Sequence, residues 1–202
     1  MRHFSNKHWI HSRLKRQKGR HMSNRIVVVY KSSTGFTKRY AEMLAEKIDC
    51  TLAVYKNATP EMLSQFDIVV FGTRAHAGRI DGLKTMKEIF HKSMARKFVL
   101  FVTGATPNEA EETIDGFWRQ NFTADELAEI PHFYLQSGLC YEKMSFPDRL
   151  MMKAAAAMIK RKKSKSPEER EFEQAISSSY DISSEIYLKP LTASLANMEG
   201  NP

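Results

Sequence analysis

Cysteine is scarce: Cys50 and Cys140 are the two in 202 residues. That excludes a disulfide framework and a four-cysteine zinc site, and it suits a reducing compartment. No apolar run approaches the ~20 residues that a membrane-spanning helix needs. Glycine-rich phosphate signatures are missing as well. There is no G-x-G-x-x-G, which disfavours a dinucleotide pyrophosphate, and no Walker A glycine–lysine pattern, which disfavours a nucleoside triphosphate. No carboxylate pair and no His/Asp/Glu cluster has metal-ligand spacing, so no metal is expected. What is present suffices for a core. Hydrophobic residues make up 42% and aromatics 10%, which excludes wholesale disorder. The length fits one domain with an extension.

The formal charge of +8 is unevenly spread. Residues 1–21 hold seven Lys/Arg and no acid, and residues 149–165 hold seven more, again with no acid. The remainder carries 17 basic and 23 acidic residues. A mildly acidic body with two basic appendages does not coat nucleic acid, and no nucleic-acid partner is expected. Residues 1–21 also carry four of the seven histidines and lack the apolar centre of a secretory signal. Their acid-free composition fits an organellar presequence, except that serine is sparse. They read as a disordered basic tail ahead of a domain over 22–202, or as residues upstream of a start at Met22.

From Arg25 the chain alternates between two periodicities. Ile26-Val27-Val28-Val29-Tyr30, Thr51 to Tyr55, Asp67 to Phe71, Phe98 to Val102 and His132 to Leu135 read as strands, the first a continuous run suited to burial on both faces. Thr37 to Ile48, Asp81 to Ser93 and Glu109 to Gln120 read as amphipathic helices. A last helix is expected over Ser183 to Asn197, with Pro190 as a kink or break. Alternation of this kind predicts an α/β fold: a doubly wound, five-stranded parallel sheet in the order 2-1-3-4-5, with helices on both faces. Ligands bind such sheets at the carboxyl ends of the strands, at the switch point.

Three loops fall at that edge. After the first strand comes Lys31-Ser32-Ser33-Thr34-Gly35-Phe36-Thr37 and then a helix. Small hydroxyl residues and a glycine let backbone wrap an anion, and helix N-terminal amides add donors. On residues alone the loop is equally an ordinary Ser/Thr cap. After the third strand comes Gly72-Thr73-Arg74-Ala75-His76-Ala77-Gly78-Arg79, and after the fourth Thr103-Gly104-Ala105-Thr106-Pro107. Strands one, three and four are neighbours in the expected order, so the three loops converge. Three converging loops are harder to explain as separate caps.

Tyr30-Lys31-Ser32-Ser33-Thr34-Gly35-Phe36-Thr37 resembles the flavodoxin phosphate loop, an aromatic followed by x-[S/T]-x-T-G-x-T. The likeness spans roughly Arg25 to Asn197 and implies a flavodoxin-like fold with FMN as cofactor. It places Ser32, Ser33, Thr34, Gly35, Phe36 and Thr37 around the phosphate. Gly72, Thr73, Arg74, Ala75 and Gly78 would lie along one edge of the isoalloxazine ring, and Thr103 and Gly104 along the other. Phe36 stands where the family usually has Asn, and neither ring-flanking loop carries Trp or Tyr. The surface also lacks the strong acidity of electron-carrier flavodoxins. These departures count against a low-potential shuttle and leave the FMN reading intact.

The segment from Phe133 to Tyr141, followed by Phe146-Pro147-Asp148-Arg149-Leu150-Met151-Met152-Lys153, resembles the insertion of the bacterial flavodoxin-like, menaquinone-dependent protoporphyrinogen oxidases. Residues 140–180 then form an inserted basic amphipathic helix and a polar linker. On residues alone, Leu150, Met151, Ala154, Ala155, Met158 and Ile159 share one helical face, with Arg149, Lys153 and Lys160 opposite and Arg161-Lys162-Lys163 following. The helix over Arg149 to Lys163 fits an anionic membrane surface, or equally packs on the body with its lysines solvated. The resemblance implies a cytoplasmic FMN enzyme oxidising protoporphyrinogen IX to protoporphyrin IX, with a quinone as acceptor. Attachment to the inner face of the cell membrane is the option that the helix adds. His76 and Arg79, with Arg74, are candidates to meet porphyrinogen propionates, although each is also readable as a surface cation. No side chain is nominated as a catalytic base, and neither cysteine is given a redox role. The alternative is a flavodoxin-type FMN electron carrier serving a redox partner. The oligomeric state is not encoded in any motif.

Overall fold

The computed structural model describes residues 24–162, 164, 170, 176 and 178–200. The expected basic tail over 1–21 and most of the expected linker lie outside the described residues. The β-branched run forms β1 (Ile26–Tyr30), whose first four residues are all buried. It is followed by α1 (Phe36–Ala45), β2 (Thr51–Val54), the short helix α2 (Pro60–Leu63), β3 (Ile68–His76), β4 (Arg79–Ile80) and α3 (Leu83–His91). Then come β5 (Lys97–Gly104), α4 (Glu111–Asn121), α5 (Ala124–Glu129), β6 (His132–Gln136), β7 (Gly138–Leu139), α6 (Phe146–Arg161), β8 (Tyr180–Asp181) and α7 (Lys189–Gly200).

Five of these strands form a parallel sheet in the order β2-β1-β3-β5-β6. That is the doubly wound order expected from the alternation. Successive residues of a strand serve opposite faces, and the two cores follow from it. Ile26, Val28, Ile68, Val70, Val99 and Phe101 pack under α1 and α7 through Tyr40, Leu44, Leu191 and Leu195. Val27, Val29, Val69, Phe71, Leu100 and Val102 pack under α3 and α4 through Leu83, Met86 and Trp118. Cys50 is half-buried against the first core. Burial pushes its thiol up to about 11, so it stays an inert packing group at neutral pH.

Two expectations are corrected. The segment after Phe71 is not a loop. β3 continues to His76, pairing with β5 as far as Arg74 and then antiparallel with β4. Ala77 (φ 49°) and Gly78 (φ 74°) make the two-residue turn between them. Both carry positive φ, as a turn matched to strand twist demands. Ala-Gly is not the Asn-Gly or Asp-Gly pair that advertises such a hairpin. The second correction concerns the last helix, expected over Ser183 to Asn197: it starts only at Lys189, so the interruption expected at Pro190 falls just ahead of it. A short 3-10 turn (Glu185–Leu188) precedes α7, and Pro190 sits in the first turn of that helix rather than kinking it. A first-turn residue has no intrahelical acceptor for its N–H, so proline costs nothing there.

Candidate functional site

At the carboxyl edge of the sheet lies a cleft of about 540 Å³. That is within the roughly 300–1,000 Å³ of small-molecule and cofactor sites. Each part of it is positioned by an element end. Thr34 and Phe36 come from the turn into α1, Arg74, Ala75 and Gly78 from the β3–β4 hairpin, and Thr103 and Gly104 from the end of β5. These are the three segments expected to converge, and they do meet. Gly35 takes φ +104° at the N-terminus of α1, and neither a side-chain cap nor an acidic residue occupies that first turn. Its N–H donates to Ser32 Oγ at 3.2 Å.

Other residues named from the sequence do not line the cleft. Ser33 is exposed. Thr37 is buried, with its hydroxyl 2.8 Å from that of Thr103, and Thr103 donates in turn to Thr73 O at 3.2 Å. Thr73 is itself fully buried and donates to Asp81 O at 2.6 Å. This hydroxyl ladder ties α1, β3 and β5 together behind the cleft. Gly72 faces the core, where a Cβ would stand 2.2 Å from Phe101 Cζ. Gly104 leaves room for Tyr134, whose hydroxyl is 2.1 Å from the position of a Gly104 Cβ.

The three candidate anion-binding cations are not gathered in the cleft. Arg79 is exposed on the hairpin. His76 Nε2 lies 2.8 Å from Asp148 Oδ1, in the first turn of α6. That hydrogen bond holds the Asp148 carboxyl below its usual range. Arg74 does line the cleft, but its guanidinium stands 3.5 Å from both Asp81 and Asp148. Lys31 Nζ meets the other oxygen of Asp81 at 2.6 Å. Lys31, Asp81, Arg74 and Asp148 thus form one alternating-charge chain, with His76 hydrogen-bonded to its end, that fastens α6 to the hairpin.

The cleft also contains residues that sequence reasoning missed. Phe117 and Ile114 come from α4, Tyr134 from β6, and Cys140, Met144 and Met152 from the segment after β7. Phe117 and Tyr134 thus bring aromatic surface to the cleft from elements outside the three segments. Phe117 and Tyr134 meet edge-to-face with centroids 6.4 Å apart. Tyr134 accepts the Thr106 N–H at 3.0 Å, and burial raises its phenol above the ordinary value. The i, i+3 spacing of Ile114 and Phe117 was visible in the sequence, but only as an inward helical face. Arg74 is the one charged side chain on the described lining. Hydroxyls, backbone amides and apolar surface dominate, a lining suited to holding a planar group rather than carrying an acid–base pair. Among the described residues, no three His, Cys, Asp or Glu side chains gather as metal ligands.

After β7, Cys140, Met144 and Met152 border this edge. Ser137 N donates to Gly104 O at 2.8 Å, and Ile182 N to Ser137 O at 2.8 Å. β7 and β8 pair antiparallel at the two ends of the segment, so closely that a Cβ on Gly138 would stand 2.2 Å from Tyr180 O. Between them, α6 directs Met152 to the cleft and leaves Phe146, Leu150 and Met158 largely exposed, at 78%, 58% and 73%. No helix among the described residues is long and apolar enough to cross a membrane.

Residues 27–166 match the Flavodoxin domain family. The chain belongs to that family. This flavodoxin-domain chain matches no curated protein. Among solved structures it is similar to a flavoprotein in complex with FMN from Lactobacillus acidophilus, at 15% identity over 56% of this chain and 93% of that one, with a TM-score of 0.38. It is also similar to Smu.1420 from Streptococcus mutans, at 13% identity over 68% and 98% of the two chains (TM-score 0.40). A third is an NAD(P)H:quinone oxidoreductase from Methanothermobacter marburgensis, at 11% identity over 71% and 99% (TM-score 0.40).

Proposed function

We propose that this flavodoxin-domain protein is an FMN-dependent oxidoreductase that oxidises protoporphyrinogen IX to protoporphyrin IX, with a quinone as electron acceptor. The observation that carries the flavin part is the convergence of Thr34, Arg74, Gly78, Thr103 and Gly104 on one cleft of about 540 Å³. Membership in the flavodoxin domain family supports FMN as the cofactor and redox chemistry as the class. The residues present suit that group. The N-terminus of α1, free of acidic side chains, and the wide backbone conformation of Gly35 offer an anion a place at one end. Phe117, Ile114 and Tyr134 offer apolar surface to a flat ring at the other.

Bound FMN supplies the electron transfer, and the protein binds, orients and tunes it. The porphyrinogen substrate rests on the likeness of residues 133–153 to the insertion of the quinone-linked oxidases. The placement of Met144 and Met152 on the cleft lets that insertion contribute to a bulky apolar substrate site. An anaerobic absorbance titration of the FMN-loaded protein with protoporphyrinogen IX tests the proposal. Bleaching of the flavin bands in step with growing porphyrin bands is expected. A bound flavin that stays oxidised sinks the porphyrinogen assignment and favours an electron carrier. Failure to bind FMN sinks the flavin assignment itself.

Peripheral attachment to an anionic membrane is part of the same proposal. The outward apolar residues Phe146, Leu150, Met151 and Met158, with Lys153, Lys160 and Arg161 exposed on the same helix, support it. A lipid-dissolved acceptor would be reached from that face. The full chain should sediment with vesicles rich in anionic lipid. Replacing Lys160, Arg161, Lys162 and Lys163 by glutamate should leave it in the supernatant. If the unaltered protein never sediments, membrane attachment is wrong.

A further inference from the structure

We propose that Lys143 supplies the counter-cation for the FMN phosphate, so that the insertion, and not the phosphate loop alone, determines the preference for a phosphorylated flavin. The inference rests on the FMN reading above and adds to it a residue from outside the phosphate-loop motif. Lys143 closes the 3-10 turn Tyr141–Lys143 that follows β7. Its Nζ lies 3.6 Å from the position that a Cβ on Gly35 would take. The ammonium therefore stands over the backbone at the N-terminus of α1, on the side that glycine leaves open.

A second cavity of about 430 Å³ lies here, lined by Gly35, Arg39, Lys143 and Asp181 among others. It shares Thr34, Phe36, Leu139 and Cys140 with the main cleft, so the two adjoin. A molecule with a flat ring in the first and an anionic tail in the second would fill both. The other cation lining this cavity already has a carboxylate partner. Arg39 is paired with Asp181, and Glu142 accepts from Ser179 at 2.7 Å. Lys143 has no carboxylate partner among the described residues, its recorded hydrogen bond being the backbone one to Cys140 O. α1 itself begins without an acidic residue or a side-chain cap, so its amides and dipole are open to an anion. A phosphate dianion placed there meets partial positive charge from the helix. Among the described residues that line this cavity, the full positive charges are those of Arg39, already paired with Asp181, and of Lys143, which has no carboxylate partner.

The test is equilibrium binding of FMN and of riboflavin to the full chain, followed by flavin fluorescence. Riboflavin has the same ring and no phosphate. Lys143→Ala is expected to weaken FMN by roughly tenfold, the scale of a charge-assisted hydrogen bond, and Lys143→Glu by more. Riboflavin affinity should not change in either variant, and Lys143→Arg should restore FMN binding. Added salt should erode the FMN preference of the unaltered protein more than that of Lys143→Ala. Unchanged FMN affinity in Lys143→Glu overturns the proposal, as does equal weakening of both flavins, which would mark Lys143 as a structural residue. An unaltered protein that binds neither flavin overturns the FMN reading first, and is told apart from the other failures by the riboflavin measurement.

Discussion

Gly72→Ala should destabilise the protein by about 3 kcal/mol, a loss of roughly 6–12 °C in Tm for a domain of this size. Gly72 sits in mid-sheet, opposite Tyr30 on β1 and Phe101 on β5. A methyl group there would stand 2.2 Å from Phe101 Cζ and within 2.8 Å of two further ring carbons. Such approaches do not occur between real atoms, so something must move. Phe101 is fully buried, in one core cluster with Ile68, Val70 and Val99, so moving it disturbs packed neighbours. The parallel strands on either side also hold Gly72 by their hydrogen-bond ladders. The cost is overpacking, and it should be relieved by shrinking the partner. Phe101→Leu loses packing of its own, yet Gly72→Ala on that background should cost far less than on the native one. Thermal unfolding of the four proteins measures the coupling. Independent, additive losses would refute the steric account. The experiment also separates two roles for Gly72. The resemblance put it beside the flavin ring, whereas the contact with Phe101 predicts a loss of stability without any flavin present.

The difference between those roles shows what the sequence made legible. The parallel sheet followed from the alternation, in which β1 and β5 are runs of Val, Ile, Leu and Phe that a sheet covered on both faces buries, and its order from the doubly wound class. The three-loop edge followed from that order. Individual side chains within the loops were less legible. Thr37, Thr73 and Thr103 look like ligand hydroxyls in one dimension, yet they bond to one another and to backbone, which only the register of β3 against β5 reveals. His76 and Arg74 read as cations awaiting an anion, and the anion is Asp148, 74 residues further on from Arg74. Tyr134 and Phe117 were assigned to a strand and a helix face with no sign that both border the cleft. In each case the missing information is a contact across the fold, which local pattern does not encode.

Gly35→Asp should abolish high-affinity FMN binding while leaving riboflavin bound. Gly35 has φ +104°, so any side chain here carries backbone strain of about 1–3 kcal/mol. Alanine measures that strain by itself. Aspartate adds a carboxylate at the N-terminus of a ten-residue helix. A carboxylate there is favourable for the empty protein, through the helix dipole and through Lys143 nearby. The variant should therefore fold at least as well as Gly35→Ala. For a bound phosphate the same carboxylate is a like charge in the same concavity. Two unit charges about 4 Å apart near a protein surface repel by about 4 kcal/mol, and the phosphate carries more than one. A loss of at least about a hundredfold in FMN affinity relative to Gly35→Ala is expected, shrinking as salt rises. Equal FMN affinity in the two variants would mean that the phosphate does not bind at α1, and both the phosphate-loop assignment and the role of Lys143 would fall together. Loss of FMN with retention of riboflavin would instead fix the direction of the flavin in the cleft, phosphate toward Gly35 and ring toward Phe117 and Tyr134.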